Sequence, residues 1–176
     1  MDAAPLPIRE ARLGELGHLC DIEVLADDAF ASIGLHFVLD SPLPDTDSLV
    51  EPLRRGRLLV AAGSDDRAVG FVRIDLLDGV PHVEQVAVHP DHAGRGIGAA
   101  LMRAAEAWAL AHGADRLTLT TFRDVPWNGP YYERLGWLVL PDDEAGPELA
   151  AARRHEGQLG LDQAPRQCMV RFVDGR

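Results

Sequence analysis

The amino-acid sequence predicts a mixed α/β (α+β) fold, one domain over residues 1–176 with a strand-rich centre and flanking helices. Three observations predict it. The chain has 176 residues, a length typical of one domain. Apolar residues make up 47 % and charged residues 26 %, enough to fill a core and keep a polar surface. The hydrophobic period is helical at first, alternates from residue 57, and turns helical again near residue 93. Such switching belongs to helices layered on a sheet.

The elements follow in order. Leu6–Ala11 reads as a short strand. Leu13 to Phe30 reads as a helix with Leu13, Leu16, Cys20 and Val24 on one face. Ser41–Asp47, SPLPDTD, is a loop by its Pro and Asp content, and Asp47 or Ser48 caps a short helix ending near Gly56. Arg57–Ala62 and Ala68–Leu77 are strands joined by the turn GSDDR, an antiparallel hairpin. Asp78-Gly79 turns the chain into a third strand, Val80–Val88. Ala93–His112 is the strongest helix, with Ile97, Leu101, Ala105 and Trp108 on one stripe and Gly113 as its stop. Arg116–Thr121 is a strand. A short helix opens at Asn128-Gly129-Pro130 and stops at Gly136. Pro147–Leu159 is a weakly patterned helix, and Gln167–Val173 a closing strand.

Composition excludes several functions. The formal net charge of −11 disfavours nucleic acid and anionic membrane as partners, because like charges repel. No apolar run reaches the roughly 20 residues of a membrane helix. The two cysteines, Cys20 and Cys168, lie too far apart for a CxxC site and are expected as free thiols in a reducing compartment. The start, MDAAPLPIREARL, lacks a basic-then-apolar signal pattern, so a cytoplasmic location is expected. His82, His89 and His92 lack metal-ligand spacing; they are expected at the surface, and no metal is expected.

Chemistry concentrates in Val83–Ala100, VEQVAVHPDHAGRGIGAA. An apolar strand turns at His89-Pro90-Asp91, and Gly94-Arg95-Gly96-Ile97-Gly98 opens the long helix. The first N–H groups of a helix lack intrahelical partners, and the helix dipole adds positive charge there. Glycines let a bulky anion approach the backbone. The segment is therefore a seat for phosphate groups, with Arg95 adding charge. Gly94-x-Gly96-x-x-Ala99 also fits a dinucleotide-binding turn, but antiparallel strands precede it and Asp115 stands before its strand rather than after it. A P-loop is excluded because no Gly-Lys-Ser/Thr follows.

His89–Gly98 resembles the pyrophosphate-binding motif of the GCN5-related N-acetyltransferase (GNAT) family, Arg/Gln-x-x-Gly-x-Gly/Ala after a strand. It reads here Ala93-x-x-Gly96-x-Gly98, with alanine at the first position. Downstream, Asn128-Gly129-Pro130-Tyr131-Tyr132-Glu133-Arg134-Leu135-Gly136-Trp137 resembles the family's Asn…Phe/Tyr-Tyr-Glu-Lys-Leu-Gly-Phe. The resemblance covers Arg57–Trp137 well and the N-terminal helices loosely.

The resemblance implies a six- to seven-stranded, mostly antiparallel sheet splayed between its fourth and fifth strands, Val83–Val88 and Arg116–Thr121. It implies acetyl-CoA as cosubstrate in that gap, touching Val86, Ala87, Val88, Gly94, Arg95, Gly96, Ile97, Gly98, Ala99 and Asn128. Backbone groups of Val86 and Val88 would pair with the pantetheine arm like an added strand. A lysine-like amine has a pKa of about 10.4, so attack on the thioester needs a base. Glu84 is the candidate, and strict alternation places it on the side of Val86 and Val88. Tyr132 occupies the family's general-acid position; Tyr131 is read as packing. Asn128 either caps its helix or bonds the pantetheine amides. The expected reaction is acetyl transfer to a small-molecule or peptide amine, with a non-catalytic acyl-CoA-binding module as the alternative and a homodimer as a possible assembly. The loop region Asp27–Asp47 is expected to shape the acceptor pocket, and Trp127 to stand at its entrance or be buried. Asp142-Asp143-Glu144 is read as a solvated loop, and 147–176 carries no chemical signature.

Overall fold

The computed structural model describes residues 6–173. The two ends of the expected 1–176 domain, including the first five residues read for a signal pattern, lie outside the described residues. Seven strands form one sheet in the order β1-β2-β3-β4-β5-β7-β6. They are β1 (Ile8–Glu10), β2 (Leu58–Ala62), β3 (Ala68–Leu77), β4 (Val80–Val88), β5 (Arg116–Phe122), β6 (Leu138–Leu140) and β7 (Arg166–Phe172). Every neighbouring pair is antiparallel except β4 and β5, which run parallel. The predicted meander is β2–β3–β4. The helices are α1 (Leu16–Ala31), α2 (Thr46–Arg54), α3 (Ile97–Ala111), α4 (Gly129–Arg134) and α5 (Pro147–Gln158).

Alternation along the strands feeds two cores, one per face. Val72, Ile74, Val83, Leu117 and Leu119 meet Leu101, Met102 and Ala105 of α3, together with Tyr132 and Trp137. Leu58, Val60, Phe71 and Ala87 meet Leu16, Leu19 and Ile22 of α1 and Leu49 of α2. These are called the α3 face and the α1 face below.

Several expectations need correction. The helical face that α1 buries is Leu16, Leu19 and Ile22, not the stripe through Leu13 and Val24. Leu13 lies in a preceding 3₁₀ turn and is 70 % exposed. The segment is apolar on more than one side, so periodicity alone selects no unique face; contact with the sheet does. The cap of α2 is Asp45, whose carboxylate accepts the N–H of Asp47 at 3.0 Å. Trp108 is half-buried and stacks on His112 at 3.9 Å rather than filling the centre of its stripe. The three-residue edge strand β6 has no counterpart in the sequence reading. Cys20 and Cys168 are free thiols, as expected.

Candidate active site

The site is built around the place where the sheet opens. β4 and β5 share two rungs, His82↔Thr118 and Val83↔Leu119. Beyond Val83, β4 continues for five residues without a β5 partner. The N–H of His89 bonds the carbonyl of Val69 on β3. Alternate residues therefore turn the same way, Ala87 and Gln85 toward β3, while Val86 and Val88 present their N–H and C=O to the gap. The predicted splay is present where the sequence placed it.

At the foot of the gap stands the N-terminus of α3. Gly94 and Gly96 adopt φ of +73° and +74°, the left-handed region open to glycine, and a Cβ on either would meet open space. Among the described residues, the N–H groups of Gly94, Arg95, Gly96, Ile97, Gly98 and Ala99 donate no backbone hydrogen bond; the first such donor is Ala100, to Gly96. These amides, plus the helix dipole, make an anion seat. Arg95 is exposed beside it. Gly98 is there for a different reason: a Cβ would lie 3.1 Å from the Tyr131 hydroxyl. Tyr131, read from sequence as packing alone, thus brings its phenol to the first turn of α3.

Glu84 departs from its expected side. The β3–β4 register slips between Arg73 and Ile74, so Glu84 is the unpaired residue of a β-bulge. The bulge reverses the alternation beyond it. Val83, Val86 and Val88 pack on the α3 face, whereas Ala87 belongs to the α1 face. Glu84 shares the α1 face with His82. Its side chain is 45 % accessible by area, yet the protein packed around it strips enough hydration to raise its pKa; Asp75 adds to the rise and Arg73 opposes it.

Two further acids near Glu84 come from α1. Burial and Asp27 push Glu23 up to about 7. Burial and Asp28 push Asp27 up to about 6. Asp27 belongs to the predicted acceptor region, with Asp28 beside it. Glu23 was missed because its only sequence signal is its spacing of four from Asp27 on one helical face. Arg73 is held by Asp75 through two bonds of 3.0 and 2.7 Å.

The C-terminal region does carry polar chemistry, against expectation. Glu156 of α5 bonds Thr120 of β5 and takes Arg166 Nε at 3.1 Å, and the Arg166 guanidinium lies 4.5 Å over the Phe122 ring. Phe122 then leads to Phe30 at 5.4 Å, and Phe30 to Trp127 at 5.7 Å. Trp127 is 38 % exposed, at the rim. An apolar cavity lined by Ile33, Leu35, Phe122, Val125 and Pro165 adjoins this aromatic group.

His82 corrects the surface assignment: it is 2 % exposed, with Nδ1 2.9 Å from Thr118 Oγ1. His89 and His92 are half-buried, and His89 Nδ1 accepts the N–H of Asp91. Asn128 stands at the N-cap position of α4 but makes no capping bond; its Nδ2 donates to Trp127 O at 3.2 Å. Tyr132 is buried between Tyr131 and Trp137, and burial raises its pKa, so the phenol stays protonated. Asp142-Asp143-Glu144 is exposed, as expected.

An antiparallel sheet that opens into one parallel pair beside an amide-lined helix mouth defines the acyltransferase class of α/β fold. Residues 23–137, well over half the chain, match the Acetyltransferase (GNAT) family. The chain belongs to the GNAT acetyltransferase family. A mycothiol acetyltransferase of Nocardiopsis dassonvillei is 31 % identical over 122 residues, 64 % of this chain but 37 % of that protein. The chain thus spans little more than a third of that relative's length. The PaiA N-acetyltransferase of Thermoplasma acidophilum, in complex with coenzyme A, superposes with a TM-score of 0.68 at 14 % identity, covering 95 % of this chain and 98 % of that one. The N-acetylglutamate synthase of Neisseria gonorrhoeae, complexed with coenzyme A and N-acetyl-glutamate, gives 0.69 at 17 % identity, covering 98 % and 36 %. At these identities the likeness is one of fold. No helix among the described residues is long and apolar enough to cross a membrane.

Proposed function

We propose that the chain, as one domain, transfers the acetyl group of acetyl-CoA to a primary amine by direct attack in a ternary complex. The observation that carries this reading is the open edge of β4 beside six free amides at the mouth of α3. The pyrophosphate sits on the amides of Gly94 through Ala99, with Arg95 adding charge and the Tyr131 hydroxyl nearby. The pantetheine arm lies along Val86 and Val88, and Asn128 is free to bond its amides. The acyl group then points through the gap toward the α1 face, from which the amine arrives.

Glu84 takes the ammonium proton, directly or through water, and a carboxylate with a raised pKa is well matched to a base near neutral pH. The amine nitrogen bonds to the thioester carbon while the oxyanion accepts from the N–H of Val86 or Val88. The C–S bond breaks, Tyr132 gives its proton to the departing sulfur, and the second proton shed by the acylated nitrogen passes through water to restore the Tyr132 phenol. Glu23 and Asp27 attract the cationic acceptor before it is deprotonated. The free thiols fit a reducing, cytoplasmic setting.

The test is thiol release from acetyl-CoA with a panel of amines. Turnover that Glu84→Gln and Tyr132→Phe both depress supports the reading. Acetyl-CoA binding without turnover on any amine makes the chain a binding module instead.

A further inference from the structure

We propose that His82 is a positioning residue for Glu84: an imidazole anchored to Thr118 across a rung of the sheet at the start of the gap, which holds the carboxylate and follows its protonation by exchanging tautomers. The inference rests on Glu84 being the base.

The geometry is specific. A buried ring nitrogen without a partner is costly. His82 meets this on one side through Thr118, at 2.9 Å and itself buried. That bond spans one of the two rungs that still join β4 to β5, so the ring is fixed relative to both walls of the gap. Its other nitrogen, Nε2, lies 3.7 Å from Glu84 Oε2. This is longer than a hydrogen bond, and a small rotation of the carboxylate closes it. Because His82 and Glu84 are two apart on the strand and precede the reversal of alternation, both face α1.

A threonine hydroxyl both donates and accepts, so it accommodates either neutral tautomer. With Glu84 ionised, Nε2–H faces the carboxylate and Nδ1 accepts the Thr118 O–H. With Glu84 protonated, Nε2 accepts from the carboxyl and Nδ1–H donates to Thr118. The ring is neutral in both arrangements, so no proton is gained or lost by it. Burial keeps it neutral, pushing its pKa down to about 4. The charged groups around Glu84 are Asp75 and Arg73 on β3, Glu23 on α1, Glu156 on α5 and Arg166 on β7. Arg73 is engaged by Asp75 and Arg166 by Glu156. His82 is thus the neutral hydrogen-bonding side chain aimed at the carboxylate. A histidine kept only for packing would leave the titration of Glu84 unchanged.

The test follows the imidazole ¹⁵N resonances of the full chain from roughly pH 5 to 8, where neutral histidine tautomers are distinguished. The Nε2–H form is expected at high pH, with a step toward Nδ1–H as Glu84 protonates; Glu84→Gln abolishes the step. In turnover, His82→Phe is expected to raise the acid limb of kcat/KM by about one pH unit and lower kcat about tenfold. His82→Gln, which keeps an N–H near the Nε2 position, restores the limb. One tautomer at every pH, with the acid limb still lost in Glu84→Gln, overturns the proposal and spares the base. An acid limb that persists in Glu84→Gln removes the base itself. Should His82→Phe not fold, Thr118→Val decides: a displaced tautomer step supports the proposal, and an unchanged spectrum overturns it.

Discussion

Glu84 owes its place to a defect in pairing. Had β4 kept strict register with β3, the carboxylate would share the cofactor side with Val86 and Val88, and the amine's proton would have to cross the sheet. On the proposed function, the extra residue opposite the Arg73–Ile74 step separates the two jobs, with the base on the α1 face and the backbone donors beyond it. Glu84→Gln is therefore expected to lower kcat about 100- to 1,000-fold at neutral pH with the KM for acetyl-CoA unchanged, since the amide cannot take a proton and the side chain faces away from the side chains of Val86 and Val88. Steady-state kinetics with the best amine of a panel checks this; a fallen affinity for acetyl-CoA at constant kcat would refute it. The adjacent tyrosines divide in a way one can test together. Tyr132→Phe should reduce kcat, whereas Tyr131→Phe should raise the KM for acetyl-CoA, because only Tyr131 lies against the α3 mouth. Glu84 and Tyr132 were candidates by position, and the glycines at the mouth of α3 were legible in the sequence by spacing. The facing of Glu84 was not, because a bulge is a property of two strands and leaves no mark in one. The surroundings of His82 and Glu23 were missed for a related reason: they come from Thr118, Asp27 and Glu84, brought near only by the fold.

At the scale of elements, α3 and α5 make a useful contrast. α3 announces itself by a long apolar stripe and a glycine-opened N-terminus, so its place was readable. Replacing Gly96 by valine puts a β-branched residue at φ +74° and is expected to weaken acetyl-CoA binding at least tenfold by calorimetry, with most of the loss from a distorted anion seat. α5 has no such pattern, because its N-terminus is satisfied from afar. The Asp78 carboxylate in the β3–β4 turn accepts the N–H of Glu148 at 2.9 Å and of Leu149 at 3.0 Å. A cap 70 residues distant cannot be found by scanning for Ser, Thr, Asp or Asn just before a helix. Asp78→Ala should cost about 1 kcal/mol, the usual worth of a helix cap, read as a lower denaturation midpoint. Because α5 carries Glu156 to Thr120 and Arg166, the same change should loosen that polar cluster while leaving acetyl-CoA binding intact. An unchanged midpoint would mean the cap does not hold α5.

Over the whole molecule, buried titrations on one face of the sheet oppose one another. Glu23 titrates at about 7 in the folded chain against 4.5 ordinarily, and Asp27 at about 6 against 3.8. The folded state holds these protons more tightly, so both acids favour folding fully below their ordinary values, and that support is lost as pH rises to about 7. His82 runs the other way, at about 4 against 6.5. Its support is whole above 6.5 and is lost as pH falls toward 4. Two acids outweigh one imidazole, so stability should decline as pH climbs through the window between about 4 and 7. The double variant Glu23→Gln/Asp27→Asn removes two acids from this balance and leaves Glu84, whose pKa is also raised, against His82. Its melting temperature should fall less with rising pH than the parent's, exceeding that of the parent most at pH 8. A bound cation would act on the parent like those substitutions, since it compensates the same carboxylates; an amine acceptor should therefore stabilise the parent more at pH 8 than at pH 5. Thermal denaturation of both chains across this range, with and without the best amine, measures each part. Parallel melting curves for parent and variant would show that Glu23 and Asp27 are hydrated like ordinary surface acids, and would remove them from the acceptor site.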